Sequence, residues 1–132
     1  MMKGAFLASG IVALGGLSLH VFTMEHWIYP KLKESGFPST PFGDALQMKK
    51  SFRMLWHFFT VNIIGTMAMD FIFYFTDWFP DPTPIARVLA YEWFAQIFVC
   101  FCIAHFSPPQ LIKAFQWVIL LAIGGLLFLG TL

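Results

Sequence analysis

Four apolar stretches, 4–24, 54–75, 88–106 and 114–132, take up most of this chain and decide what it can become. At 1.5 Å rise per residue, each is long enough as a helix to cross a hydrocarbon core of roughly 30 Å. Only 11% of the 132 residues are charged, against about 25% in an ordinary soluble domain. Lipid offers no water to exposed peptide groups, so a spanning segment must close its own hydrogen bonds as a helix. The expected fold is an all-α membrane protein, a single transmembrane domain over 1–132 with helices near 4–28, 45–76, 84–106 and 109–132. Short connections make sequential helices antiparallel neighbours, hence a four-helix up-down-up-down bundle. Little chain remains for a soluble domain, so any chemistry belongs to the helices or to the connection 29–52.

The punctuation agrees with four helices. Pro30 follows the first, and Asp44 with Gln47 forms a capping-box pattern that starts the second near Ala45. The second helix therefore carries Lys49 and Lys50 outside the membrane before it enters. In TDWFPDPTP, residues 76–84, three prolines exclude a helix, and Thr83-Pro84 makes a cap and first-turn pair for the third. Ser107-Pro108-Pro109 forms the joint before the fourth. Trp27, Tyr29, Trp56, Trp78, Tyr91, Trp93 and Trp117 fall near span ends, where amphipathic rings anchor at the interface.

Charge sets the orientation. Lys31, Lys33, Lys49, Lys50, Arg53 and Lys113 lie on the side of the first and third connections, against Lys3 and Arg87 on the other. The bias places the first connection in the cytoplasm of a bacterial inner-membrane protein, with both termini outside. Lys3 before the first span resembles a signal peptide, but the apolar run exceeds an ordinary h-region and lacks a small-x-small site before Glu25, so a retained helix is expected. Net charge is +1 with no basic run beyond Lys49-Lys50, which argues against a nucleic-acid partner. Cys100 and Cys102 are about 200° apart on a helix and cannot pair with each other there.

Polar residues inside the spans are the candidate functional positions. Glu25 at the end of the first helix and Arg53 at the entry of the second should stand at similar depth and pair. His20 lies about 7.5 Å further in than Glu25, and His57 about 6 Å further in than Arg53, so the two imidazoles are level. His105 ends the third span on the same side and Gln116 begins the fourth, completing a cluster of His20, Glu25, Arg53, His57, His105 and Gln116. Ser9, Ala13, Gly16 and His20 form one stripe of small residues that lets a neighbouring helix approach. Arg53, His57, Thr60 and Ile64 share a face of the second helix. Towards the other side, Asp70 and Glu92 are expected to be level, with Asn62 and Thr66 near the Asp70 face and Gln96 one turn from Glu92. Two carboxylates brought together share a proton more readily than both ionise, which makes Asp70 and Glu92 a candidate proton or ion path.

Level histidines on adjacent helices also provide a candidate cofactor site, His20 and His57 ligating a haem b iron from opposite sides, or holding a metal with Glu25 and His105. Against the metal stand the absence of an i, i+4 histidine pair and the 140° between His20 and Glu25. The chain is similar in size to the small multidrug transporters, but that family requires a carboxylate near the middle of the first helix, whereas Glu25 stands at its end. No Ser/His/Asp arrangement or phosphate-binding glycine loop is present.

His20-x4-Glu25, Arg53-x2-Trp56-His57-x2-Thr60 and WVILLAIGGL at 117–126 resemble a group of small bacterial four-span proteins with no assigned biochemistry. That resemblance implies the fold and the importance of these positions, and supplies no activity. Aromatic, Met and small residues fit for lateral packing point to a small non-catalytic membrane subunit in contact with the lipid bilayer. Its partners would be copies of itself or other subunits of a larger, bioenergetic complex.

Overall fold

The structure, a computed structural model, describes residues 3–41, 43–103, 108–109 and 116–132. Among these it is mostly helical, with no strand beyond an isolated bridge between Thr40 and Gly43. Helix α1 is Lys3–Phe22, continued by a π turn, Thr23–Ile28, and a 3-10 turn, Tyr29–Lys31. A second 3-10 turn, Glu34–Gly36, precedes α2, Ala45–Phe75. Helix α3 is Thr83–Ile103 and α4 is Gln116–Gly130. Three helical stretches, Lys3–Lys31, Ala45–Phe75 and Thr83–Ile103, are long and apolar enough to cross a membrane; α4 is apolar and shorter over its described residues.

The boundaries follow from local chemistry. Asp44 is extended, and its carboxylate accepts the Gln47 N–H at 2.8 Å, so α2 starts at Ala45 as the capping pattern requires. Pro82 offers its carbonyl to the Ala86 N–H at 2.9 Å, and Asp81 accepts the Thr83 N–H at 3.0 Å. Asp81 thus does the capping that Thr83 was expected to do, and Thr83 is already helical. Gly43, at φ 157°, lets the chain turn back onto Thr40 just before the cap.

The helices pack in the order α2, α1, α4, α3, with close backbone approach at each of those three seams and little between α2 and α3. The seam pairs run in opposite chain directions. Lys3 meets Asp77 at one end of α1–α2 and Glu25 meets Arg53 at the other. On α1–α4, Ser9 bonds the Ile123 carbonyl at 3.4 Å and Gly16 faces Ile119. On α3–α4, Tyr91 meets Phe128 and Phe101 meets Trp117. Of the expected stripe, Ser9, Ala13 and Gly16 are buried, with Ser9 and Gly16 against α4, whereas His20 turns to Trp56 of α2. Gly124 does the same for α3, where an added Cβ would come within 3.0–3.2 Å of Trp93 and Phe94.

The core is built from Phe6, Ala13, Ile63, Phe73, Ala90, Trp93, Ile97, Ile123 and Leu127. Trp93 corrects an expectation. It is fully buried rather than interfacial, donates its indole N–H to Thr66 at 3.2 Å, and takes Phe59 edge-on. Trp93 lies at the middle of α3, Thr83–Ile103, so counting from the apolar run at 88 sets it too close to the helix end. Trp27, Trp78 and Tyr91 do stand exposed.

Candidate functional site: a polar clasp between α1 and α2

Glu25 is the centre of the site. Arg53 reaches it with two donors, Nε to Oε1 at 2.9 Å and Nη2 to Oε2, a fork that fits a carboxylate. His57 Nε2 lies 2.9 Å from the same Oε1. Arg53 and His57 are one turn apart on α2, so a single carboxylate can serve both. Tyr29 extends the site outward, its ring lying 4.7 Å from the Arg53 guanidinium and 4.9 Å from the Lys49 ammonium. That cation–π layer ties the two basic side chains near the start of α2 to the end of the first helical stretch.

The π turn makes this convergence possible. On an uninterrupted α-helix Glu25 would stand about 140° from His20, facing away from α2. Over Thr23–Ile28 the ladder widens, with the Tyr29 N–H bonding the Met24 carbonyl five residues back. Each residue of the wider turn advances by less than the α-helical angle, which narrows the angle between Glu25 and His20, and Glu25 faces Arg53 and His57.

One turn further in, His20 and Trp56 form a reciprocal pair. The His20 Nε2–H donates to the Trp56 carbonyl at 3.2 Å, and the Trp56 Nε1–H donates to the His20 carbonyl at 3.3 Å. Their rings stack, centroids 4.5 Å apart and 13° from parallel. Trp56 is therefore part of the helix contact rather than a free interfacial anchor. Thr60 completes the group, its hydroxyl 3.4 Å from the Trp56 carbonyl and 3.5 Å from His57 Nδ1. All four residues of the Arg53-x2-Trp56-His57-x2-Thr60 pattern thus meet on one face. Ile64, placed on that face by spacing, is exposed instead, and Ile63 takes the buried position.

Iron ligation by both histidines needs a ring-nitrogen lone pair on each. His20 donates Nε2–H to a carbonyl, which leaves the lone pair on Nδ1. His57 has Nε2 against Glu25 and Nδ1 3.5 Å from the Thr60 hydroxyl, so ligation through His57 would displace one of those contacts. Gln116 is exposed at the start of α4 and joins none of these bonds. His105 lies outside the described residues.

The second polar group departs from expectation. Glu92 accepts hydrogen bonds on Oε1 from Asn62 Nδ2 and, at 3.4 Å, from Gln96 Nε2. Asn62 precedes Asp70 by two turns, about 12 Å along α2, so Glu92 and Asp70 are not level. The cause is again the start of α3 at Thr83, which sets Glu92 deeper than counting from residue 88 allows. Asp70 is fully buried on the α1 side, near Ser9, and neither of its carboxylate oxygens has a hydrogen-bond partner among the described residues. The link missing from the sequence reading was Asn62 with Glu92. Their helical faces alone gave no sign of it, because it depends on the register between α2 and α3. No family model, curated protein or solved structure matches the chain.

Proposed function

We propose that this is a small non-catalytic membrane subunit that packs laterally against other membrane helices, either copies of itself or subunits of a larger bioenergetic assembly. In this reading the four helices cross a bacterial inner membrane up-down-up-down. The Glu25–Arg53 end faces the cytoplasm and both termini lie outside, as the basic-residue bias favours. The resemblance of its second-helix pattern places the chain, in this reading, with a group of small bacterial four-span proteins, and the Arg53, Trp56, His57 and Thr60 of that pattern meet on one contact.

The observation that carries the proposal is the division of labour between inside and outside. The polar side chains of the clasp are spent on fastening α1 to α2, while large apolar side chains cover the outer faces. Leu55, Phe58 and Val61 of α2 and Val88, Phe98 and Ile103 of α3 are all more than half exposed. Such faces suit lipid and neighbouring helices alike, and small residues elsewhere show that this chain already packs helices closely. Extraction in a mild detergent followed by mass measurement tests the reading. A homo-oligomer or a co-purifying membrane protein is expected, and a strictly monomeric, partner-free species at native expression would overturn it.

A further inference from the structure

Between α2 and α3 the bundle leaves a groove of about 430 Å³, open on its outer side and lined by Phe58, Val61, Gly65, Met69 and Leu89, with Asn62, Thr66 and Glu92 at its polar edge. This is the seam where the two backbones do not approach closely. The groove is shallow, and its lining of mostly apolar walls with a few placed polar groups has the composition of small-molecule sites. Glu92 stands near the midpoint of α3, so in a bilayer its carboxylate lies at the depth where charge is most costly. Among the described residues, both hydrogen bonds to it arrive at Oε1. Among the described residues, none of the ion pairs includes Glu92.

We infer that the α2–α3 groove is a binding site for a lipophilic cation, with Glu92 as the counter-charge and Phe58, Val61, Met69 and Leu89 as the apolar seat. Charge complementarity selects the occupant. A carboxylate with an unoccupied oxygen at mid-membrane depth attracts a cation, and the walls reject one that keeps its hydration shell. A delocalised or substituted onium group meets both demands, and the exposed Phe58 ring adds the attraction of an aromatic face for such a charge. Asn62 and Gln96 hold the carboxylate by one oxygen and leave the other for the ligand. Gly65 keeps the floor low: a Cβ added there meets nothing within 4 Å, so this stretch of groove is empty for want of a side chain.

The test uses the full chain in lipid nanodiscs, with radiolabelled tetraphenylphosphonium as probe and tetraphenylborate and tetramethylammonium as controls. Saturable tetraphenylphosphonium binding near one per chain is expected, with neither control competing. Glu92→Gln should weaken it by about tenfold or more, the loss of a charge-assisted contact. Gly65→Leu, which fills the groove and leaves Glu92 in place, should also weaken it while preserving helix content and monodispersity. Non-saturable partitioning, equal binding of the borate anion, or unchanged affinity in Glu92→Gln would overturn the inference. This outcome is separate from the mass measurement above, since a groove can bind its ligand in a monomer or an oligomer.

Discussion

Trp93 shows what a single side chain does here. Replacing it with phenylalanine keeps most of the buried ring and removes the N–H that Thr66 accepts. The expected cost is about 1 kcal/mol, the scale of one hydrogen bond between membrane helices, read as a lower midpoint of unfolding in a denaturing-detergent titration. Gly130 offers a sharper contrast. A methyl group there would collide with the fully buried Phe6 ring, whereas at Gly125 it meets nothing within 4 Å. Gly130→Ala should destabilise by about 1–3 kcal/mol in the same titration, with Gly125→Ala close to neutral. The sequence makes the small-residue stripe on α1 legible, because Ser9, Ala13 and Gly16 recur at helical spacing. It misplaces Trp93 when depth is counted from the apolar run at 88, although Thr83-Pro84 already marks the start of the helix. Five helical residues before Val88 move every side chain of α3 relative to α2, and with them the partner of Glu92.

The end of α1 and the start of α2 act together as elements. Glu25 and Arg53 were expected to pair because their depths match, and they do. That His57 joins them depends on the π turn, which no residue pattern announces. Reversing one charge, Glu25→Arg or Arg53→Glu, should lower the thermal midpoint in detergent. The double exchange should recover part of the loss by restoring the ion pair, but not the His57 and Tyr29 contacts that Glu25 and Arg53 also make. A double variant as unstable as the sum of the singles would count against the pairing. At the opposite end, Asp81 caps α3 from the loop. Hydrogen bonds from the Thr83 side chain and backbone, with a smaller contribution from Arg87, hold its carboxyl below the ordinary 3.8. Its contribution to stability is therefore complete above pH 3.8 and is lost as the pH falls through the lower folded-state value. Asn caps about as well as Asp and does not titrate. Acid unfolding followed by circular dichroism should show a steeper loss below pH 3.8 for the native chain than for Asp81→Asn, with the two alike near neutrality.

At the scale of the molecule, the fold class was the most legible feature, because four long apolar runs leave lipid and a helix as the only joint solution. The neighbour relations were less so. Short connections made α2 and α3 partners in sequence, yet the close seams are those of α1 with α2, α1 with α4, and α3 with α4. Ser9, Gly16 and Gly124 stand at close seams of α1 and α4, while at the α2–α3 seam Phe58 and Leu89 flank Gly65. Lateral association should therefore involve the outer faces of α2 and α3. Leu55→Glu or Val99→Glu, at exposed sites on those helices, should shift a detergent-purified oligomer towards smaller mass while leaving helix content unchanged. The unequal seams also have a mechanical meaning. Three of the four are zipped by close backbones and one is bridged by side chains, so the spine formed by α1 and α4 is stiff and the opposite edge is the compliant one. Stretching or thinning of the surrounding bilayer would be taken up first as a change in the spacing of α2 and α3.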